Sequence, residues 1–157
     1  MNLPKLHFMH ANSYPAGTYG VLFGLLRQHY QVGALDMHGH DPDYPVEDGW
    51  SKLVDEAVAD LLRRYAEPVI LVGHSLGGML ALMTARRRPD LVRCVVMLDS
   101  PVVAGWRAKA WRLLRALGLA ERLSPARFSA NRRKHWPDPQ TAWRHFAGKP
   151  MFAAWPE

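Results

Sequence analysis

Short apolar runs alternate with longer amphipathic segments over the first hundred residues of the chain. The runs have the length and the β-branched content of strands, whereas the segments between them repeat their apolar residues at the period of a helix. The predicted strands lie at 6–9, 31–35, 68–74 and 92–98, and the predicted helices near 17–29, 51–66 and 76–88. This alternation predicts right-handed βαβ units and therefore an α/β fold with a parallel, doubly wound sheet.

The last two predicted strands are almost wholly apolar, which is typical of strands that are covered on both faces. Cys94, the only cysteine, lies within the fourth run, so we expect a buried structural thiol. Ser51 is the expected N-cap of the helix before the third strand. In a sheet of four strands, Val92–Leu98 would be an apolar edge, and such an edge is usually covered by a further strand.

The pattern changes near residue 103, which predicts an α/β core over 1–103 and a small helical segment over 104–157. One helix is expected over about 104–119. Two more are expected to begin after Ser124 and Asp138, because each of these residues is an N-cap type followed by proline.

The charge of the chain is as uneven as its pattern. Residues 1–103 carry nine basic and eleven acidic residues, and 104–157 carry eleven basic and three acidic ones, for a net charge of +6. A basic region can bind nucleic acid, a membrane surface or an anionic substrate. Here the arginines alternate with tryptophan and leucine at helical spacing, which favours a solvated helix face and no nucleic-acid or membrane partner. Trp106 is a candidate for lining a substrate site, although such tryptophans more often pack in a core.

The start of the chain lacks the apolar stretch of a signal peptide, and no apolar run approaches the roughly 20 residues of a membrane helix. Together with the single cysteine, these features predict a cytoplasmic protein.

The third apolar run leads directly into Gly-His-Ser-Leu-Gly at residues 73–77, and a helical segment follows at once. A G-x-S-x-G sequence between a strand and a helix is typical of a nucleophilic serine held on a sharp turn. Gly73 and Gly77 would leave room for that turn, and the Leu76 amide would point at the same space from a helix N-terminus. The alternative is a glycine-rich turn in which Ser75 only caps a helix. A phosphate-binding loop is excluded because the Lys-Ser/Thr pair is absent.

Three further segments follow the predicted strands in the same way: Phe-Met-His-Ala-Asn-Ser at 8–13, Asp-Met-His-Gly-His at 36–40, and Leu-Asp-Ser-Pro at 98–101. Together with residues 73–78 they resemble the α/β-hydrolase superfamily over nearly the whole chain. The resemblance implies that the Asn12 amide is the second oxyanion donor, beside that of Leu76, although Ala11 stands where glycine is usual. It also implies that 104–157 is similar to the helical cap of that family.

The family's chain order is serine, acid and histidine. The resemblance implies that the histidine comes from a loop after the last strand, far beyond the cap, and that the acid lies at the end of the fourth strand or one strand later. Asp99 is a candidate acid, but an aspartate there more often bonds to the backbone of the next turn. His135 and His145 are the only histidines after Ser75, and we expect both on the surface. The chain is therefore expected to be the N-terminal part of a longer hydrolase, or a variant that has lost its second half.

Several histidines lie near the predicted strand ends, but their spacing matches no metal-ligand pattern, so no metal and no other cofactor is expected. His74 is the candidate among them for contacting substrate.

These features predict a serine hydrolase that cleaves a small ester or related acyl substrate, the expected partner of the site. The alternative is a non-catalytic fragment or pseudoenzyme that binds a ligand or a protein. A weaker alternative is nucleic-acid binding through 104–157, which would be strongly salt-dependent.

Overall fold

Four parallel strands form one sheet in this computed structural model, which describes residues 3–47, 49–102, 105 and 135–150. The order across the sheet is β2-β1-β3-β4, so β1 and β3 are central and β2 and β4 are the edges. The strands are β1 (Lys5–Met9), β2 (Gln31–Ala34), β3 (Val69–His74) and β4 (Val92–Leu98). All three pairings are parallel, which confirms the predicted sheet.

The helices that the structure describes fall between the strands, except for one near the C-terminus. They are α1 (Gly20–Leu26), α2 (Ser51–Arg64), α3 (Leu76–Arg87) and α4 (Pro139–Ala147), with short 3₁₀ turns at Ala16–Tyr19 and Pro89–Leu91. The helix predicted near 17–29 is thus a 3₁₀ turn followed by a short α-helix, because the chain already turns after Leu26 to enter β2.

The prediction that Ser51 caps α2 is wrong. Trp50 occupies the N-cap position in a left-handed conformation (φ 55°), and no side chain caps the helix. The reason lies in the preceding turn: the Trp50 amide donates to the Glu47 carbonyl, and the Trp50 carbonyl accepts from Val54, which starts the helix one residue early. Ser51 is therefore the first helical residue.

Two apolar clusters lie on opposite faces of the sheet, as a doubly wound fold requires. The cluster on the α2 and α3 side is formed by Met9, Leu53, Val54, Ala57, Leu61, Val69, Leu71, Leu80 and Ala81. The cluster on the α1 side is formed by Leu6, Phe8, Ala16, Phe23 and Val72.

The two strands predicted to be covered on both faces differ in burial. β3 is buried along nearly its whole length, whereas alternate residues of β4, including Cys94, are exposed. The predicted burial of Cys94 is therefore wrong. Val95 packs toward α2 and α3, but the apolar cluster on the α1 side includes no residue of β4 among the described part of the chain.

The chain divides into two compact units, Met1–Val102 and Val103–Glu157. In the second unit α4 begins as predicted: the Asp138 carboxylate accepts from the Thr141 amide at 2.7 Å, and Pro139 is the first helical residue. Apart from Gly105, the helices predicted at 104–119 and after Ser124 lie outside the described residues. Among the helices that are described, none has the length and apolar character to span a membrane.

Candidate active site

Ser75 lies alone between β3 and α3, at the carboxyl end of the sheet. Its backbone adopts φ 52° and ψ −114°, a region that residues with a side chain rarely occupy. The Ser75 amide donates to the Leu98 carbonyl at 2.9 Å, and the Ser75 carbonyl accepts from Gly78 at 3.2 Å. The turn is therefore anchored to β4 on one side and to α3 on the other. Residues 73–77, here called the serine turn, have the strand–turn–helix context that the motif requires.

Three glycines of this region have no room for a side chain. A Cβ on Gly73 would overlap the backbone of Gly77, and one on Gly77 would overlap the carbonyl of Met9 in β1. A Cβ on Gly78 would meet the side chain of Ser100. The serine turn is thus packed backbone against backbone, which explains why glycine flanks Ser75.

The β1 loop, residues 10–15, approaches the serine turn from the neighbouring strand. His10 Nδ1 donates to the Ala11 carbonyl at 2.8 Å, and its Nε2 accepts from the His38 amide at 2.8 Å. Burial lowers the pKa of His10, in keeping with a neutral ring that accepts at Nε2. Asn12 is exposed and lies with Leu76 on the wall of a small cavity of about 90 Å³. The structure therefore brings together the two residues predicted to supply oxyanion donors.

His74 is half-buried. Its Nδ1 lies 2.8 Å from the Tyr19 hydroxyl, which also accepts from the Ala11 amide at 3.1 Å. The ring predicted to contact substrate is thus engaged by a side chain that is also bonded to the β1 loop.

Asp99 follows β4 directly and is exposed, with a left-handed φ of 44°. Within the described residues its carboxylate makes no hydrogen bond or ion pair, and the adjacent Ser100 hydroxyl bonds to Leu98 instead. In the same part of the chain, the Ser75 hydroxyl makes no hydrogen bond to another side chain.

Trp106 lies outside the described residues. Across residues 3–47, 49–102, 105 and 135–150, no group of three potential ligands is arranged to hold a metal ion.

Comparison with known proteins decides the family. The model described as alpha/beta hydrolase family matches residues 8–156. The chain belongs to the α/β-hydrolase family. The resemblance inferred from the sequence is confirmed.

Relatives of this α/β-hydrolase chain include proteins named as an esterase/lipase and as a hydrolase. A putative esterase/lipase of Haemophilus influenzae is 29% identical over 100 residues, which are 63% of this chain and 35% of that protein. The 2-(acetamidomethylene)succinate hydrolase of Mesorhizobium japonicum is 33% identical over 99 residues, 61% of this chain and 35% of that protein. The chain therefore spans about a third of the length of these curated relatives.

Among solved structures, the thioesterase domain from the curacin biosynthetic pathway matches with a TM-score of 0.60 and 24% identity, covering 92% of this chain and 53% of that one. The crystal structure of E-2-(acetamidomethylene)succinate hydrolase matches with a TM-score of 0.56 and 26% identity, covering 74% and 43%. These matches support the incomplete α/β-hydrolase fold expected from the sequence.

Sequence reasoning missed two buried histidine–carboxylate pairs of this α/β-hydrolase chain. His38 Nδ1 lies 3.8 Å from Glu56, which also accepts from the Gly39 amide, and His7 Nε2 lies 3.8 Å from Asp60. Both carboxylates come from α2, where the amphipathic pattern assigns charged residues to solvent. The histidines that face them on β1 and after β2 were the available signal.

The His7 pair is the deeper of the two. Burial lowers the pKa of His7 to about 4, and the Asp60 charge opposes that shift without cancelling it. Burial raises the pKa of Asp60, but hydrogen bonds from Arg64 and Arg63 outweigh it and leave that pKa below its usual value. His7 is therefore a neutral core residue, with its Nδ1 3.2 Å from the Tyr65 hydroxyl.

Proposed function

We propose that this chain carries the nucleophile and the oxyanion site of a serine hydrolase that acts on a small ester or related acyl substrate. The observation that carries the proposal is the backbone of Ser75, which is held in a strained conformation at the end of β3 by glycines that no larger residue can replace. Strain of this kind persists where the surrounding structure enforces it, and it is concentrated at functional sites.

In the proposed reaction, Ser75 Oγ attacks the acyl carbonyl carbon and the tetrahedral oxyanion is held by the amides of Leu76 and Asn12. Leu76 is the first residue of α3, where a helix leaves its amides without an acceptor within the helix. Asn12 shares the small cavity with Leu76. Collapse of the intermediate breaks the bond to the leaving group and leaves an acyl-serine, and water then releases the acid and regenerates Ser75.

A general base must take the Ser75 proton and return it to the leaving group. The family order implies a histidine that follows the acid in the chain, and Asp99 is the candidate acid within the described residues. Without the base, the oxyanion site and substrate binding alone are expected to retain about 10³- to 10⁴-fold catalysis over water, a small part of the full activity.

The proposal is tested by covalent labelling with a fluorophosphonate, which reacts with activated serine hydroxyls. Because the described residues hold no general base for Ser75, we expect slow labelling that on prolonged incubation gives one phosphonyl adduct per 157-residue chain, located at Ser75 by peptide mass analysis and absent from Ser75→Ala. Ser100→Ala is the matched control, because it removes a neighbouring hydroxyl at the same end of the sheet and leaves the contact between its Cβ and Gly78 in place. Labelling that persists in Ser75→Ala, or a folded chain that never labels, would contradict the proposal.

A further inference from the structure

One hydroxyl joins the two segments that the proposed oxyanion site needs. The Tyr19 oxygen accepts from the Ala11 amide at 3.1 Å and lies 2.8 Å from His74 Nδ1. Ala11 directly precedes Asn12, and His74 directly precedes Ser75. Tyr19 therefore bridges the β1 loop and the serine turn, at positions one residue from Asn12, one from Ser75 and two from Leu76.

The contacts around this bridge fix its ring. The Tyr19 ring packs on Phe8 at 4.6 Å and on Phe23 at 6.2 Å between ring centroids, within the cluster on the α1 side of the sheet. Burial raises the pKa of the Tyr19 phenol, against the effect of the Ala11 hydrogen bond, so the hydroxyl keeps its proton at neutral pH.

The proton of the Tyr19 hydroxyl determines which group donates in each hydrogen bond of the bridge. The Tyr19 oxygen accepts from Ala11, so its own O–H is free to donate to His74 Nδ1 when that ring carries its proton on Nε2. This arrangement satisfies the Ala11 amide, the hydroxyl and the ring nitrogen together. Ala11 is only 4% exposed, and water would not readily replace a lost partner of its amide.

Ala11 is held at its other end as well. Its carbonyl accepts from His10 Nδ1 at 2.8 Å, and His10 is tied in turn to the His38 amide. The peptide groups on both sides of Ala11 are thus fixed, and among the described residues the Tyr19–His74 pair is the only hydrogen-bonded side-chain link from them to the serine turn.

We infer that Tyr19 is a positioning residue, whose hydroxyl sets the Asn12 amide against the Leu76 amide without touching substrate. The inference rests on the proposed function, because it assigns to Tyr19 the alignment of that oxyanion site. Removing one oxyanion donor in a serine hydrolase typically slows the reaction about 10²- to 10³-fold, and a displaced donor retains part of its effect. Loss of the Tyr19 hydroxyl is therefore expected to slow acylation of Ser75 about tenfold or more.

The chain offers a matched control in Tyr65. Its hydroxyl also bonds a histidine Nδ1, that of His7, at 3.2 Å, and burial also raises its phenol pKa. That pair lies between β1 and α2, and Tyr65 makes no hydrogen bond to the β1 loop or to the serine turn among the described residues. Tyr65→Phe removes an equivalent hydroxyl without disturbing the bridge.

The experiment compares Tyr19→Phe and Tyr65→Phe in the 157-residue chain by two readouts. The first is the fluorophosphonate reaction at Ser75, resolved into the maximal inactivation rate and the half-saturating concentration. The second is hydrogen exchange of the Ala11 amide. For Tyr19→Phe we expect the maximal rate to fall about tenfold or more, the half-saturating concentration to stay within about twofold, and Ala11 exchange to rise about tenfold or more. We expect Tyr65→Phe to match the wild type in both.

His74→Ala is the second variant, used in case Tyr19→Phe does not fold. This substitution leaves the Tyr19–Ala11 hydrogen bond in place and removes the Tyr19–His74 hydrogen bond. We therefore expect the same loss in the maximal inactivation rate, with no further loss when Tyr19→Phe and His74→Ala are combined. Wild-type labelling by Tyr19→Phe, or an equal loss in Tyr65→Phe, overturns the positioning role. Failure of the wild type to label removes the proposed function, and the inference with it. Unchanged Ala11 exchange in a Tyr19→Phe chain whose wild type does label removes the inference alone.

Discussion

Two tyrosine–histidine pairs of this chain use the same chemistry in different surroundings. At the carboxyl end of the sheet, Tyr19 bonds His74 and also receives the amide of Ala11. Between β1 and α2, Tyr65 bonds His7, and the opposite nitrogen of that ring faces Asp60. The first pair links main-chain segments, whereas the second satisfies a side chain that β1 has placed in the core.

The comparison shows what a buried polar pair contributes in each setting. In the core, the Tyr65–His7 bond offsets part of the cost of removing an imidazole from water. At the site, the Tyr19–His74 bond restrains the relative position of two loops, and its contribution to stability can be equal while its contribution to geometry is larger.

The largest effect on stability is expected at Gly77, in the serine turn beside the Tyr19–His74 pair. Gly77→Ala places a Cβ against the Met9 carbonyl, where neither backbone can move freely, so the free energy of unfolding should fall by about 3 kcal/mol or more. Urea unfolding monitored by circular dichroism measures it. Gly24→Ala in α1 is the control: nothing lies near its new methyl group, and stability should rise by up to about 1 kcal/mol. Equal effects of the two substitutions would contradict the packing of the serine turn.

Acid should lower the stability of the core around the Tyr65–His7 pair. The folded-state pKa of His7 is about 4, below its ordinary 6.5, so the unfolded chain takes up more protons between these values. Stability that is present above pH 6.5 is lost as the pH falls toward 4, by about 3 kcal/mol at 1.36 kcal/mol per pKa unit. Unfolding midpoints measured across this range should be flatter for His7→Leu, although His10, whose pKa is also lowered by burial, retains some dependence. An unchanged slope would show that His7 does not control the acid response.

Gly33 in β2 offers a second test of the Tyr65–His7 pair, because the absence of a side chain at Gly33 leaves room for the Tyr65 hydroxyl. A methyl group there would overlap the Tyr65 hydroxyl, so Gly33→Ala should cost about 2 kcal/mol. In a Tyr65→Phe background the hydroxyl is gone, and we expect about 1 kcal/mol of that cost to disappear. A double-variant cycle of unfolding free energies measures the coupling between the two positions. Strictly additive values would contradict the close approach of the Tyr65 hydroxyl to Gly33.

The smallest expected effect separates stability from geometry. Tyr19→Phe and Tyr65→Phe each remove a hydroxyl that is bonded to a histidine, and each should lower the free energy of unfolding by about 1 kcal/mol. Thermal unfolding should therefore rank the two variants close together, while reactivity at Ser75 distinguishes them. A cost for Tyr65→Phe several times that of Tyr19→Phe would make the core pair a stability element that has no counterpart at the site.

The sequence carried the sheet and the serine turn well because both depend on local signals. β3 is an uninterrupted apolar run followed by small residues at fixed positions, and neither feature requires knowledge of distant contacts. The Asp138 cap was equally local. Ser51 failed as a cap because Trp50 adopts a left-handed conformation that no pattern of residue types announces.

The remaining differences are tertiary in origin. Cys94 belongs to an apolar run but lies on an edge strand, and apolar character alone does not distinguish an edge from a centre. The charge of Glu56 and Asp60 predicts that they lie on the solvent face of α2. Their burial follows from His38 and His7, which lie opposite them in the folded chain. The Tyr19 bridge joins residues 55 positions apart in the chain, a separation at which no spacing rule applies.

At Ser75 the proposed chemistry and the stability of the fold make opposite demands on one backbone position. With φ 52° and ψ −114°, it occupies a conformation that glycine adopts freely and that costs other residues on the order of 1 to 3 kcal/mol. A glycine between Gly73 and Gly77 would adopt this conformation without that cost. The proposed nucleophile therefore stands at a position where the backbone makes any side chain costly to the fold.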